Sequence, residues 1–159
     1  MAKGRKRKTA PGDVATNRQA SFRFNLLERF ECGIVLTGTE VKALREGKAQ
    51  LKDSYAVVRD GEVWLIGAYV PPYGPASREN HEPERPRKLL LHRAEIERLI
   101  GKTRERGLTL VPTRIYFRDG RAKVEIALAR GKDVRDKRET IRTRDMAREV
   151  QRELREARR

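Results

Sequence analysis

Two histidines and one cysteine are the only imidazole and thiol groups in the 159-residue chain. Cys32, His81 and His92 stand too far apart in sequence to read as a nucleophile–base pair or a metal site. Nor is there a glycine-rich phosphate loop. Aspartate and glutamate are plentiful, but most have arginine or lysine nearby, which favours solvated charge pairs. No ready constellation for catalysis follows, and no cofactor or metal is expected. Binding chemistry is better represented. In "RFECGIVL", Glu31 has the opposite parity to Phe30, Cys32 and Ile34, so it points to the other face of a strand. A carboxylate there is solvated, pairs an arginine, or accepts hydrogen bonds from base edges. Cys32 alternates with apolar neighbours and reads as a buried thiol. In "KLLLHRAE", Lys88 and His92 bracket three leucines. The leucines read as a core strand leading into a helix. His92 caps or packs near the start of that helix or, if exposed, stacks on an unpaired base.

Charge narrows the partner. The net charge is +15, of which residues 1–11 carry +5, residues 12–130 carry +6 and residues 131–159 carry +4. The basic excess is thus concentrated at the two ends, which points to a polyanion: nucleic acid before an anionic membrane surface. No apolar run approaches the roughly 20 residues of a spanning helix. "MAKGRKRKTAPG" lacks the apolar stretch of a secretory signal, so the protein is expected to stay where it is made.

The last segment, "GKDVRDKRETIRTRDMAREVQRELREARR", offers a core almost nothing. Placed on a helix from about Ile141, it separates into three ridges. One is acidic (Asp145, Glu149, Glu153), one basic (Arg144, Arg148, Arg152, continued by Arg155 and Arg159), and one thin and apolar (Met146, Val150, Leu154). Like charges four apart cost helix stability. The segment is therefore expected to be largely uncoiled alone and helical against a wall of phosphates; a solvated helix or short coiled coil is the alternative. Its head is distinct, with Gly131 freeing the backbone before a cluster of basic residues.

These groups need a scaffold. Residues 1–17 show no periodicity and are expected to be flexible. A long strand follows from about Phe22 to Leu36, bent near "LLERF", with Gly33 a bulge or close-approach point. "TGTEVKALREG" predicts a short helix capped by Thr37 or Thr39 and ended by Gly47. Asp60-Gly61 and Asp119-Gly120 each predict a hairpin, because that turn needs positive φ at both central residues. "PPYGPASRENHEPERPRK" reads as an irregular surface loop. Between the hairpins, "LLLHRAEIERLIGKTRERG" predicts a helix with Ile96, Leu99, Ile100 and Thr103 on one side and Gly107 past its end. The result is mainly β with flanking helices. With few helices to cover a sheet, an OB-like antiparallel barrel is the economical closure, and a curved open sheet with helices on one side is the alternative. The division is a basic leader (1–17), a barrel (18–130) and a basic tail (131–159).

"GTEVKALREGKAQLKDSYA", "RKLLLH", "LVPTRIYF", "KVEIALARGK" and "DKRETI" occur in this order. Together, from about Asn17 to the end, the chain resembles the SmpB family, the SsrA-binding or tmRNA-binding proteins. The resemblance implies a bacterial, cytoplasmic, non-enzymatic adaptor with an OB-like barrel and a tail disordered in the free state. It would bind the tRNA-like domain of tmRNA and support its charging with alanine. Delivery to stalled ribosomes would follow with EF-Tu, so that EF-Tu and alanyl-tRNA synthetase are partners only through tmRNA. Its tail would probe the decoding centre and fold in the empty mRNA channel, allowing peptide tagging. Carried over by motif, the tmRNA-binding positions are Glu31, Leu90 and His92, with Lys88 and Arg18 added as phosphate contacts on charge grounds. The family's tail motif is matched at Gly131, Lys132, Asp136, Lys137 and Arg138. Asp133 replaces a usual lysine, and Arg135 stands where an aromatic ring is usual; its guanidinium plane can stack similarly. Arg144, Arg148 and Arg152 would meet rRNA phosphates. Two other readings stay open: a ribosomal or assembly protein held permanently in rRNA, and an RNA-modifying or RNA-cleaving enzyme using paired carboxylates and a metal.

Overall fold

The computed structural model describes residues 13–74, 80–105, 107–132 and 134–157. Its strands are β1 (Asp13–Thr16), β2 (Phe24–Ile34), β3 (Tyr55–Arg59), β4 (Glu62–Ile66), β5 (Arg87–Leu90), β6 (Leu108–Arg118) and β7 (Arg121–Gly131). Its helices are α1 (Ala20–Arg23), α2 (Gly38–Arg45), α3 (Arg93–Thr103) and α4 (Val134–Ala157). All strand pairs are antiparallel, and six strands close a ring in the order β6-β3-β4-β5-β2-β7 and back to β6. The expected barrel is therefore present, and the open sheet is not.

Closure is uneven. The ladders β2–β7 and β6–β7 run nearly the full eleven residues of each strand. By contrast, β3 meets β6 at Ala56↔Leu110, and β5 meets β2 at Leu90↔Gly33 and Leu89↔Ile34. Both expected hairpins form. Asp60 and Gly61 lie at φ +52° and +73°, Asp119 and Gly120 at +52° and +75°, as such turns demand. Inward residues of alternating parity, among them Phe30, Cys32, Leu65, Leu89, Ile115 and Ile126, fill the barrel. Leu44 of α2 and Leu99 of α3 reach the same core. At the start of α2, the Thr37 N–H donates to Glu40 Oε1 at 2.9 Å, satisfying an otherwise orphaned donor.

Four expectations are corrected. Residues 13–16 are not flexible leader: β1 pairs with the half of β6 that β3 leaves free, from Asp13↔Tyr116 to Thr16↔Arg114, and Ala15 is buried. Residues 1–12 lie outside the described residues. The long strand begins at Phe24 rather than Phe22, because residues 20–23 turn as α1 to bury Ala20 against Val111, Ala127 and Ala129. The bend near "LLERF" is a register shift between Leu26 and Glu28 that leaves Leu27 exposed. Gly131 does not free the backbone; it ends β7, paired with Phe24. The tail is helical from Val134, seven positions before Ile141. Its arginines, glutamates, leucine and methionine are strong helix formers. Opposite charges three or four apart, such as Glu149/Arg152 and Arg152/Glu156, offset the like-charge ridges.

Candidate nucleic-acid interface

The outward residues of β5, β2, β7 and β6 form one continuous face. Leu90 pairs with Gly33, Gly33 also with Lys123, and Lys123 with Tyr116, so four strands present one row. Gly33 is needed there, since a Cβ would sit 3.2 Å from Leu90 Cβ. Glu31 stands two residues along β2 on the same face. The Tyr116 hydroxyl donates to Glu31 Oε2, and Arg118 Nη1 lies 3.1 Å from the same oxygen. The hydroxyl first, and Arg118 after it, hold the Glu31 carboxyl below the usual carboxylate value; desolvation opposes them. Burial, and then the carboxylate it binds, push the Tyr116 hydroxyl up to about 12. At neutral pH the pair is a carboxylate and a phenol that keeps its proton.

Around this pair the face is cationic. Glu31, Arg118, Asp119, Arg121 and Lys123 line one depression. Next to it, Arg114 stacks 4.2 Å from the centroid of the Tyr116 ring and reaches Asp13 at 3.1 Å and Glu125 at 3.6 Å. A carboxylate with Oε2 bound by a phenol and an exposed arginine, and Oε1 met among the described residues only by that arginine at 3.4 Å, keeps acceptor sites for an amino or imino group of a base, while Arg118, Arg121 and Lys123 suit phosphates.

The sequence-derived residues divide over the structure. Glu31 and Leu90 come together through Gly33, and Leu90 is 51% exposed, a free apolar surface beside the charged row. His92, two residues on, is exposed and is the N-cap of α3, with its N–H 3.4 Å from Glu95 Oε1. Lys88 shares β5 but is engaged, its Nζ 2.8 Å from Glu62 Oε1. Arg18 is exposed in the turn before α1, where its neighbour Asn17 is bonded to Thr113 O and Pro112 O and lines a cleft with Leu26 and Arg29 of β2. Cys32 is a buried thiol whose pKa burial pushes up to about 12, which removes it as a nucleophile.

The tail residues lie at the other end of the β2–β7 ladder. Gly131 opposes Phe24, and the Lys132 N–H donates to Arg23 O at 2.9 Å while its Nζ reaches Ser21 O at 2.9 Å. Arg135, Asp136 and Lys137 lie in α4, their side chains outside the description, as is Asp133. Arg138, Arg144, Arg148 and Arg152 are exposed, and Arg144 stands 6.0 Å from the Phe22 ring. Ile141, Met146, Val150 and Leu154 are 46% to 62% exposed, so among the described residues the apolar ridge of α4 stays largely open.

Sequence reasoning missed the framework behind β5. Residues 80–87 read as loose loop, yet Glu40 is fully buried and accepts from both Arg85 and Arg87. Arg87 also donates to Ala68 O at 2.8 Å and Pro83 O at 3.0 Å. His81 is buried between Thr39 and Val70; its Nε2 donates to Val70 O at 2.9 Å, so Nδ1 accepts from the Thr39 hydroxyl at 2.9 Å. Charged residues among prolines carry no periodic signal, and only a partner 45 residues away reveals their role. Tyr116, Arg118 and Lys123 were missed for a similar reason: their meeting with Glu31 depends on barrel register.

Comparison with known proteins agrees with this geometry. The family model described as SmpB protein matches residues 14–156. The SsrA-binding protein of Syntrophobacter fumaroxidans is 58% identical over 146 residues, 92% of this chain and 90% of its own length. That of Desulforudis audaxviator is 57% identical over 142 residues, 89% and 93% of the two lengths. A solved chain, from work described as "tmRNA-SmpB: a journey to the center of the bacterial ribosome", superposes with a TM-score of 0.64 at 50% identity, covering 75% of this chain and 84% of that one. With an antiparallel barrel, a cationic outer face and a protruding basic helix in place, the chain belongs to the SmpB family.

Proposed function

We propose that this protein is a non-enzymatic RNA-binding adaptor of ribosome rescue, working in the cytoplasm. The face of Glu31, Leu90 and His92 binds the tRNA-like domain of tmRNA, with Lys88 and Arg18 as outlying phosphate contacts. Binding there supports alanylation and delivery, with EF-Tu, to ribosomes stalled on broken messages. The tail enters the decoding centre through Gly131, Lys132, Arg135, Asp136, Lys137 and Arg138, and α4 lies in the empty mRNA channel with Arg144, Arg148 and Arg152 toward phosphates. Arg135 takes the stacking role given by an aromatic ring elsewhere in the family.

One observation carries this reading: the two candidate surfaces sit at opposite ends of the β2–β7 ladder. Glu31 and Gly33 are near one end and Phe24↔Gly131 is at the other. Seven residues of strand at about 3.3 Å each separate Phe24 from Glu31 by roughly 23 Å. A strand pair of this length can thus hold one RNA while presenting a helix to another. Removing residues 134–159 should leave tmRNA affinity nearly intact and abolish peptide tagging on stalled ribosomes. Loss of tmRNA binding on truncation would refute the division.

A further inference from the structure

A second cleft, of about 230 Å³, opens at the root of the tail, between α1 and the starts of β3 and β6. Ala20, Phe24 and Val111 give it apolar walls, and Tyr55 stands at its rim with 45% of its surface exposed. Arg23 and Asp53 form an exposed ion pair at 2.9 Å beside it. Gln19 lines the cleft, and its Oε1 is buried with no hydrogen-bond partner among the described residues. An unpaired buried acceptor is costly and rare in a finished fold, so turning the Gln19 amide into the cleft, where a donor can reach it, gains a hydrogen bond.

We propose that this cleft captures one unpaired base of the ribosomal RNA that lies beside the tail. Each wall has a task. Tyr55 offers an exposed aromatic ring for stacking, and Gln19 Oε1, once its amide turns into the cleft, accepts from a base amino or imino group. Arg23, released from Asp53, meets the attached phosphate. The volume is below the roughly 300–1,000 Å³ of drug-sized sites, which suits a single base. Position selects ribosomal RNA over tmRNA. Arg23 O accepts the Lys132 N–H at the start of the tail, whereas the Glu31 face lies at the far end of β2. The assignment rests on the proposed function, since it takes the tail to enter the small subunit.

The test uses the full chain with Tyr55→Ala, Tyr55→Phe and Gln19→Leu. Binding to purified small ribosomal subunits and binding to tmRNA are measured separately, with thermal melts as a control. Tyr55→Ala should weaken subunit binding by roughly five- to a hundredfold, the usual range for loss of one stacked base. Tyr55→Phe should stay within about twofold, because the phenyl ring still stacks. Gln19→Leu should also weaken subunit binding while leaving the melting temperature unchanged or higher, since it deletes an unsatisfied acceptor. A merely structural Gln19 would lower the melting temperature instead. Affinity for tmRNA should not move. The proposal is overturned if subunit binding is unaffected by Tyr55→Ala and Gln19→Leu, or if tmRNA binding falls in parallel. If the unmodified chain binds no tmRNA at all, it is the adaptor reading that fails.

Discussion

Glu31 and Glu40 show how one residue type acquires two roles from its surroundings. Glu31 is on the surface, bound by Tyr116 and Arg118, and its pKa is depressed below 4.5. A depressed carboxylate pKa stabilises the fold above the unfolded value, and that contribution is lost as pH falls through the folded pKa. A carboxyl-carbon NMR titration should place the Glu31 midpoint below 4.5, the ordinary value. Tyr116→Phe should move it upward, and an unmoved midpoint would remove the phenol as its cause. Glu40 is fully buried. Burial alone would raise its pKa, but hydrogen bonds from Arg85, Thr37 and Arg87 pull it below the usual value. Removing it strands Arg87, which is also buried, as an uncompensated charge. Glu40→Ala should therefore cost about 3–5 kcal/mol in a denaturant melt. A loss under 1 kcal/mol (about the worth of a surface pair) would mean the cluster is solvated. Gly33→Ala should displace Leu90 and weaken tmRNA binding more than it lowers stability, because its added Cβ meets Leu90 at 3.2 Å.

Elements differ in what holds them. The two hairpins depend on glycine at positive φ, so Gly61→Ala and Gly120→Ala should each cost about 1–2 kcal/mol in denaturant melts. Gly38 meets nothing within 4 Å and opens α2, and makes a suitable control. α3 is held by its apolar side: Leu99 is completely buried in the barrel core, and its truncation to alanine should cost about 2–5 kcal/mol. α4 has no comparable anchor, with its apolar ridge exposed. Amide hydrogen exchange should be fast across residues 141–157 and slow in β2 and β7, whose ladders are the longest in the barrel. Equal protection in both would show that the helix is docked.

At the scale of the molecule, charge and topology act together. With a net charge of +15, affinity for tmRNA should fall linearly on a logarithmic salt axis. Removing residues 134–159 should leave that slope nearly unchanged, because the tail departs from the end of the β2–β7 ladder remote from Glu31. A much shallower slope would place the tail on tmRNA. Much of this was legible in advance. Parity separated Glu31 from Phe30 and Cys32, the Asp-Gly pairs marked both hairpins, and charge located the tail, because side-chain alternation, turn geometry and net charge are local properties of a sequence. Ring closure decided the rest. Only the ladders bring Tyr116 and Arg118 to Glu31, fasten Arg85 and Arg87 to Glu40, and send α4 away from the end opposite Leu90. Those meetings join residues dozens of positions apart, and pairing register, which no local pattern encodes, sets which of them touch.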